Sequence, residues 1–493
     1  MKRPTDQTSR TVTQAGAVPQ TAMQDAGNDA AGADAVARSW WPALVTAVFT
    51  AVLAIAYFAD VPFLDGPSYW DWEPRHLPFA PLWLVLLLSA ALWGAGLWLG
   101  RRGGRKLTCG IVLLMAAMLV CIVTMRYLHR PGDYGFERVA AIIQDNIATS
   151  YYFDAARLRN FDDRLVVFTE LMPTLQLHSK THPPGPVLFF LPFIAMHGDT
   201  VAAAAWGGWT LGVLSVLVVP ACFFMLRAFG LASWPALVGS ALLAPMPTLT
   251  QIFPGFDAPY AALTCLLLGT WALTLKRNSV GWACAFGVLL ATAVFFAYNL
   301  LVLGASIALY GLYQWWRDER IDLLRLTRHV CVSIFAMVLC YVALWLATGF
   351  DPIATFLIAF DNQSQLKVEH SMYGMHRPYH LTVWLDPIDF AKGLGWVILV
   401  PIAAFLVGLV RQRQRLHNEL DVVALILLLQ MPIVTLSGLL AAETARVWAF
   451  MAPLFVLAAV RQLQRWRPAA QVTFHVCLWV LAIVIYQNVE MHY

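Results

Sequence analysis

Residues Arg130–Pro186 read RPGDYGFERVAAIIQDNIATSYYFDAARLRNFDDRLVVFTELMPTLQLHSKTHPPGP. This is the longest polar interruption in an otherwise apolar chain, so most of the available ionisable chemistry lies between two blocks of membrane-length hydrophobic sequence. Asp133 opens the stretch and Thr181-His182-Pro183-Pro184-Gly185 closes it. Between them, Tyr134–Ile147 places Phe136, Val139, Ala140, Ile143 and Ile147 on one face at helical spacing, with Glu137, Arg138, Gln144 and Asp145 elsewhere. That pattern predicts an amphipathic helix lying on the bilayer surface, which would hold Asp133 at the level of lipid phosphates. Pro131-Gly132-Asp133 is also good turn chemistry, so spacing alone admits Asp133 as a turn residue or as a reactive carboxylate.

Composition sets the class. A chain of 493 residues that is 59% hydrophobic, 13% charged and of mean hydropathy +0.64 would expose an enormous apolar surface as a soluble domain, so it reads as an all-α polytopic membrane protein. The net charge of +4 is small and no basic tract carries interleaved aromatics, which argues against nucleic acid as a partner. All eight cysteines fall in apolar runs without a CxxC, the pattern of small buried hydrophobes and not of disulfides or a zinc site. No P-loop or GxGxxG occurs, so neither ATP nor a dinucleotide is indicated.

Along the chain, residues 1–38 are too poor in large apolar side chains to fold and are expected to be a disordered cytoplasmic tail. The first apolar run begins only at Trp40, which reads as a signal anchor in place of a cleavable signal peptide. Runs of spanning length near 40–59, 80–99, 108–127, 202–226, 231–251, 258–275, 280–297, 298–316, 329–348, 393–410, 421–440, 446–460 and 470–488 give about thirteen transmembrane helices. With that count the Lys/Arg-rich connections, from Arg101/Arg102/Arg105/Lys106 to Arg461/Arg465/Arg467, all fall on the side of the N-terminus, as positive-inside asymmetry requires. The N-terminus is then cytoplasmic and Tyr493 extracytoplasmic; the transmembrane domain fills 39–493, and 128–201 and 349–392 are its main extracytoplasmic loops. The apolar run Pro184–Met196 is short and starts and ends on the same side, so it is expected to be a re-entrant or juxtamembrane helix beside a cavity.

Further chemistry sits at the outer ends of later spans. Asp257, in Pro254-Gly255-Phe256-Asp257, is an acid at a membrane boundary, where such residues are functional or paired. Arg446 shares a helical face with Glu443, three residues earlier; it reads as a structural ion pair or as a phosphate contact. The 349–392 loop holds His370, Tyr373, His376, Arg377, Tyr379, His380 and Trp384, suited to stacking on a sugar or anchoring at an interface. Its histidine spacings match no metal signature; a divalent metal is possible and not indicated. The acids of the 60–79 loop, Asp60, Asp65, Asp71 and Glu73, are a rival location for a catalytic carboxylate, without a following Pro-Pro box.

An acid just past a span, an amphipathic stretch and then a His/Lys-Pro-Pro box resemble the first extracytoplasmic loop of the glycosyltransferase C superfamily, with likeness to protein O-mannosyltransferases and lipid A aminoarabinose transferases. The resemblance implies a long catalytic first loop carrying amphipathic and juxtamembrane helices. Asp133 matches the acid that acts as base on the acceptor; Tyr134 stands where many members have a second acid, and Gly185 where a Leu is usual. Pro254–Asp257 is similar to the acid at the outer end of a later span, and Glu443–Trp448 resembles a Glu-x-x-Arg-x-Trp of some actinobacterial-type cell-wall transferases. The implied activity is sugar transfer from a polyprenyl-phosphate donor to a hydroxyl of a glycan, lipid or protein. It would be an inverting displacement in a bacterial inner membrane. Asp133 would be the base; Tyr134, Lys180, His182, Asp257, His376, Arg377 and Arg446 would bind substrate. A secondary transporter or flippase of a lipid-linked substrate is the alternative; it would show internal repeats, and none is convincing.

Overall fold

A computed structural model describes residues 40–64, 73–74, 79–127, 135–146, 149–318, 321–372, 378–441 and 443–490. Asp133, Tyr134, His376 and Arg377 lie outside them, as do Asp65 and Asp71. Helices make up most of the described chain; a two-residue antiparallel bridge pairs Glu73 with Glu490 and Pro74 with Val489.

Among the described residues eight helices are long and apolar enough to cross a membrane, and four more apolar helices, Gly185–His197, Val280–Phe296, Leu399–Arg411 and Ala449–Leu463, are shorter. Several expected spans are broken where the backbone departs from the α-helix. Run 231–251 is split into Ser233–Leu242 and Pro247–Thr250, run 298–316 begins with the 3-10 turn Tyr298–Leu303, and run 446–460 opens with a short helix and a 3-10 turn. Proline accounts for one of these breaks, since Pro245 and Pro247 cannot donate to a continuing ladder.

Burial sorts the helices into centre and rim. In Asp257–Arg277, 78% of the apolar window is buried; in Leu323–Thr348 it is 11%, so the latter turns nearly its whole surface outward, as a lipid-facing helix does. Close helix contacts rest on small residues. A Cβ on Gly96 would lie 2.9 Å from the Gly110 carbonyl oxygen, and one on Gly287 would lie 2.2 Å from the Ser333 carbonyl oxygen. Gly207 and Gly208 face Phe190 and Val139 in the same way, whereas Gly281 meets only Ser279 Oγ, at 3.7 Å, and serves no close packing.

The first loop folds into the helices Gly135–Gln144, Tyr151–Leu158 and Arg164–Leu171, two 3-10 turns and the helix Gly185–His197. The amphipathic helix is present, but its apolar face does not rest on lipid. Val139, Ala140, Ile142 and Ile143 are buried, and Val139 and Ile143 pack onto Gly208 of the helix Val201–Ser215. Protein competes with the bilayer for an apolar face, and here a glycine opens a groove for it.

The 349–392 segment is largely helical, with Pro352–Met372 and Tyr379–Gly393. The first of these docks on the first loop: Asn362 Nδ2 donates to the Lys180 carbonyl at 2.7 Å, and the Thr169 and Thr355 hydroxyls lie 2.9 Å apart. The two long connections therefore form one body at one end of the bundle.

Candidate active site

The turn at Ser150 (φ 57°) starts the site. Ser150 Oγ accepts from the His178 amide at 3.1 Å, and the fully buried Asp154 accepts from the Gln176 amide at 3.0 Å and from Arg157 at 3.3 Å. These bonds lash the helix Tyr151–Leu158 to the 176–182 turns. Burial holds the Asp154 carboxyl above the usual carboxylate range, against the hydrogen bonds it accepts. Sequence reading passed over this acid, one of several in the loop.

The lashing brings Tyr151, His178 and His182 together, with ring centroids 5.8 Å apart for Tyr151–His182 and 6.2 Å for each of the other two pairs. Phe256 stacks edge-on against Tyr151 at 5.5 Å, just before Asp257 starts the central helix. His182 Nδ1 lies 2.8 Å from the His178 carbonyl oxygen. A carbonyl only accepts, so Nδ1 carries the proton and Nε2 presents a lone pair. Burial pushes the His182 pKa down to about 4, partly offset by that hydrogen bond and reinforced by Arg446, so the ring is neutral at physiological pH. Tyr151 is pushed above its ordinary range by burial, with Asp257 adding and Arg446 opposing, and stays a phenol.

Arg446 and Glu443 form an ion pair in which the side chains are only 12% and 16% exposed. Their segment is held from below by the helix Tyr379–Gly393. Asp389 Oδ2 accepts from the Ala445 amide at 2.8 Å and from Thr444 Oγ1 at 3.3 Å, while Thr444 Oγ1 also lies 2.6 Å from the Asp386 carbonyl oxygen. On the other side Thr248 Oγ1 donates to the Ala445 carbonyl at 2.5 Å, and Gly393 leaves room for that same carbonyl. Lys392 Nζ stands 3.9 Å from Asp389 Oδ1 in a buried pair. Sequence reading named none of Asp386, Asp389 and Lys392. Their three-residue spacing in an apolar stretch, which puts all three on one helix face, was the available signal.

The charge of Arg446 acts on His182, Tyr151 and Asp257 alike, and that of Glu443 on Asp257. The fold thus gathers His182, Asp257 and Arg446 from segments 75 and 189 residues apart in sequence. Lys180, two residues from His182, contributes its backbone carbonyl to the docking of Asn362. Asp60, from the rival loop, is exposed and in a left-handed turn.

Behind the Pro-Pro box lies an apolar cavity of about 600 Å³. Pro183 and Pro184 form one wall; Phe295, Tyr298, Met337, Tyr341, Trp345 and Phe356 form others, and Asp351 stands among the lining residues. Gly185 lets the box approach this wall, since a Cβ there would lie 2.4 Å from the Phe295 carbonyl oxygen. A single turn of chain therefore separates the polar cluster around His182 from an apolar cavity along Pro183–Pro184. Among the described residues no group of three His, Cys, Asp or Glu side chains could hold a metal ion.

No family model and no curated protein sequence matches the chain. Among the solved structures similar to it are two of the Archaeoglobus fulgidus oligosaccharyltransferase. The apo form has a TM-score of 0.48 and 12% identity, over 77% of this chain and 56% of that one; the complex with Zn and sulfate has a TM-score of 0.40 and 11% identity, over 76% and 53%. The chain thus spans little more than half the length of that protein.

Proposed function

We propose that this protein is a membrane glycosyltransferase that moves a sugar from a polyprenyl-phosphate donor to an acceptor hydroxyl at the extracytoplasmic face. One observation carries the reading: the His182-Pro183-Pro184 turn has on one side the polar cluster of His182 and Tyr151, under the charge of the largely buried Arg446, and on the other the apolar cavity. A polar cluster beside an apolar cavity suits an amphiphile with a charged, sugar-bearing head and a long hydrocarbon tail. The prenyl chain would lie against Phe295, Tyr341 and Trp345, and the phosphate would meet Arg446, whose planar fork suits phosphate oxygens. Glu443, the present partner of Arg446, would be exchanged for or shared with that phosphate.

Asp133 would take the proton of the attacking hydroxyl, with inversion at the anomeric carbon. His182, neutral and presenting Nε2, would accept a hydrogen bond from a donor or acceptor hydroxyl and would not serve as a cation. Tyr151 would donate to the sugar, Asp257 would bind its hydroxyls, and Tyr134, Lys180, His376 and Arg377 would complete the binding surface. Positive-inside asymmetry supports a cytoplasmic N-terminus, an extracytoplasmic C-terminus and about thirteen crossings.

The test is turnover of purified protein against a panel of radiolabelled polyprenyl-phosphate sugars, with glycan, lipid and protein acceptors. Acceptor labelling is the expected result. Movement of an intact lipid-linked substrate between leaflets, without sugar transfer to any acceptor, would replace the transferase reading by that of a flippase.

A further inference from the structure

At the other end of the helix that follows Arg446 lies a second charged cluster, which the reaction does not use. The carboxylate of Asp421 is fully buried and meets three arginines: Arg461 Nε at 2.7 Å, Arg465 Nη2 at 2.7 Å and Arg415 Nε at 3.3 Å. Three guanidinium groups against one carboxylate leave two positive charges uncompensated. The neighbouring acid does not supply the balance, because Glu419 is bonded to Lys276 at 2.9 Å and accepts from Gln314 at 3.0 Å.

The cluster is built and not incidental. Arg415 lies over the Phe405 ring at 5.1 Å, donates to the Phe405 carbonyl at 3.4 Å, and runs so close to Gly408 that a Cβ there would lie 1.8 Å from its Nη1. Its side chain is 7% exposed, and its Nη2 is buried with no hydrogen-bond partner among the described residues. A buried donor left unbonded is costly, the more so on a charged group, so this nitrogen is placed for an acceptor that the described residues do not provide. Burial and the repulsion of Arg465 pull Arg415 below the ordinary arginine range, the direction expected where positive charge is in excess. Exposure rises from Arg415 through Arg461, at 16%, to Arg465, at 34%, which gives the cluster an open side.

We propose that Arg415, Arg461 and Arg465, arranged around Asp421, form a binding site for a phosphate group, supplied by the headgroup of an anionic membrane lipid. Guanidinium forks match phosphate oxygens, and an anion of charge −1 to −2 would neutralise the excess. The cluster stands where the apolar helices Leu399–Arg411 and Ala452–Leu463 end and Glu419–Leu428 begins, the place where a span would leave the bilayer among lipid headgroups. The site does not depend on the transferase reading.

The test uses the full-length protein in nanodiscs of phosphatidylcholine alone, of phosphatidylcholine and phosphatidylglycerol in equal parts, and of phosphatidylcholine with added inorganic phosphate. The readouts are Tm and the number of phosphatidylglycerol molecules retained per protein in native mass spectrometry. Phosphatidylglycerol should raise Tm and remain bound, and inorganic phosphate should do neither. Arg465→Gln should lose the retained lipid by roughly tenfold, the worth of one charge-assisted contact, with little change of Tm in phosphatidylcholine alone. Arg413→Gln, an exposed arginine of the same loop, should keep both effects. A full Tm rise with inorganic phosphate would make the ligand a free anion and overturn the lipid. An undiminished phosphatidylglycerol effect in Arg465→Gln, or its equal loss in Arg413→Gln, would leave only a structural staple or diffuse surface charge.

Discussion

Replacing Arg446 by Gln separates the two parts that the Glu443–Arg446 pair can play. With side-chain exposures of 12% and 16%, neither group is solvated well enough to stand alone as an ion. Removing one partner of a buried pair costs about 3–5 kcal/mol because the other charge is stranded. Glu443 keeps some access to water, so the lower end, about 3 kcal/mol, is the expected loss of stability for Arg446→Gln. The double variant Glu443→Gln/Arg446→Gln removes both charges and lets two amides bond each other, so most of that stability should return. Catalysis should not follow. If Arg446 stabilises the charge growing on the leaving phosphate, both variants should lose about two to three powers of ten in turnover, as loss of one preorganised oxyanion contact does. Arg446→Lys, a point charge without the fork, should fall in between, chiefly through weaker donor use. The assay pairs thermal unfolding in detergent with sugar transfer from radiolabelled polyprenyl-phosphate donors. A double variant that recovers turnover along with stability would refute the phosphate contact and leave the pair as scaffolding.

Asp133→Asn keeps size and polarity and removes basicity, so turnover should fall by roughly two to four powers of ten with folding and donor binding intact; Asp145→Asn, Asp162→Asn and Asp163→Asn should cost little, and near-normal turnover in Asp133→Asn beside an essential acid in the 60–79 loop would mean that the active loop is misplaced. Gly185→Ala puts a Cβ 2.4 Å from the Phe295 carbonyl oxygen, and overpacking of that kind costs about 1–3 kcal/mol, to be read as a lower Tm; an unchanged Tm would show that the box does not press on that wall. The His182 pKa falls from 6.5 to about 4 on folding, so the unfolded chain binds more protons between those values and stability must drop as pH falls through that window. The full swing is on the order of 3 kcal/mol; His182→Gln should flatten the Tm-versus-pH curve between pH 6.5 and 4, and an equally steep curve would mean that the imidazole is not held neutral. A reporter fused after Tyr493 should be active outside the cytoplasm; strong cytoplasmic signal would break the odd number of crossings.

What the sequence determined by itself is what one-dimensional chemistry encodes. Hydrophobic length and the placement of Lys and Arg specified a helical membrane protein, the amphipathic stretch at 135–144, and a short apolar helix behind Pro183-Pro184, because solvent preference and proline geometry act locally. It also picked out His182, Asp257 and Arg446, polar groups in places where apolar residues cost less. Tertiary structure decided what those groups meet. No spacing rule ties Asp389 to the amide of Ala445, or the Phe295 carbonyl to Gly185, since contacts between distant segments depend on how helices pack and not on their own periodicity. Packing also turned the amphipathic helix from lipid toward Gly208, and helix breaks divided runs that hydropathy alone reads as single spans. Above all, the neutral state of His182 arises from its burial and from the charge of Arg446, 264 residues away in sequence, and it holds against the His178 carbonyl, which favours the protonated ring. Ionisation is a property of surroundings, which a sequence does not carry.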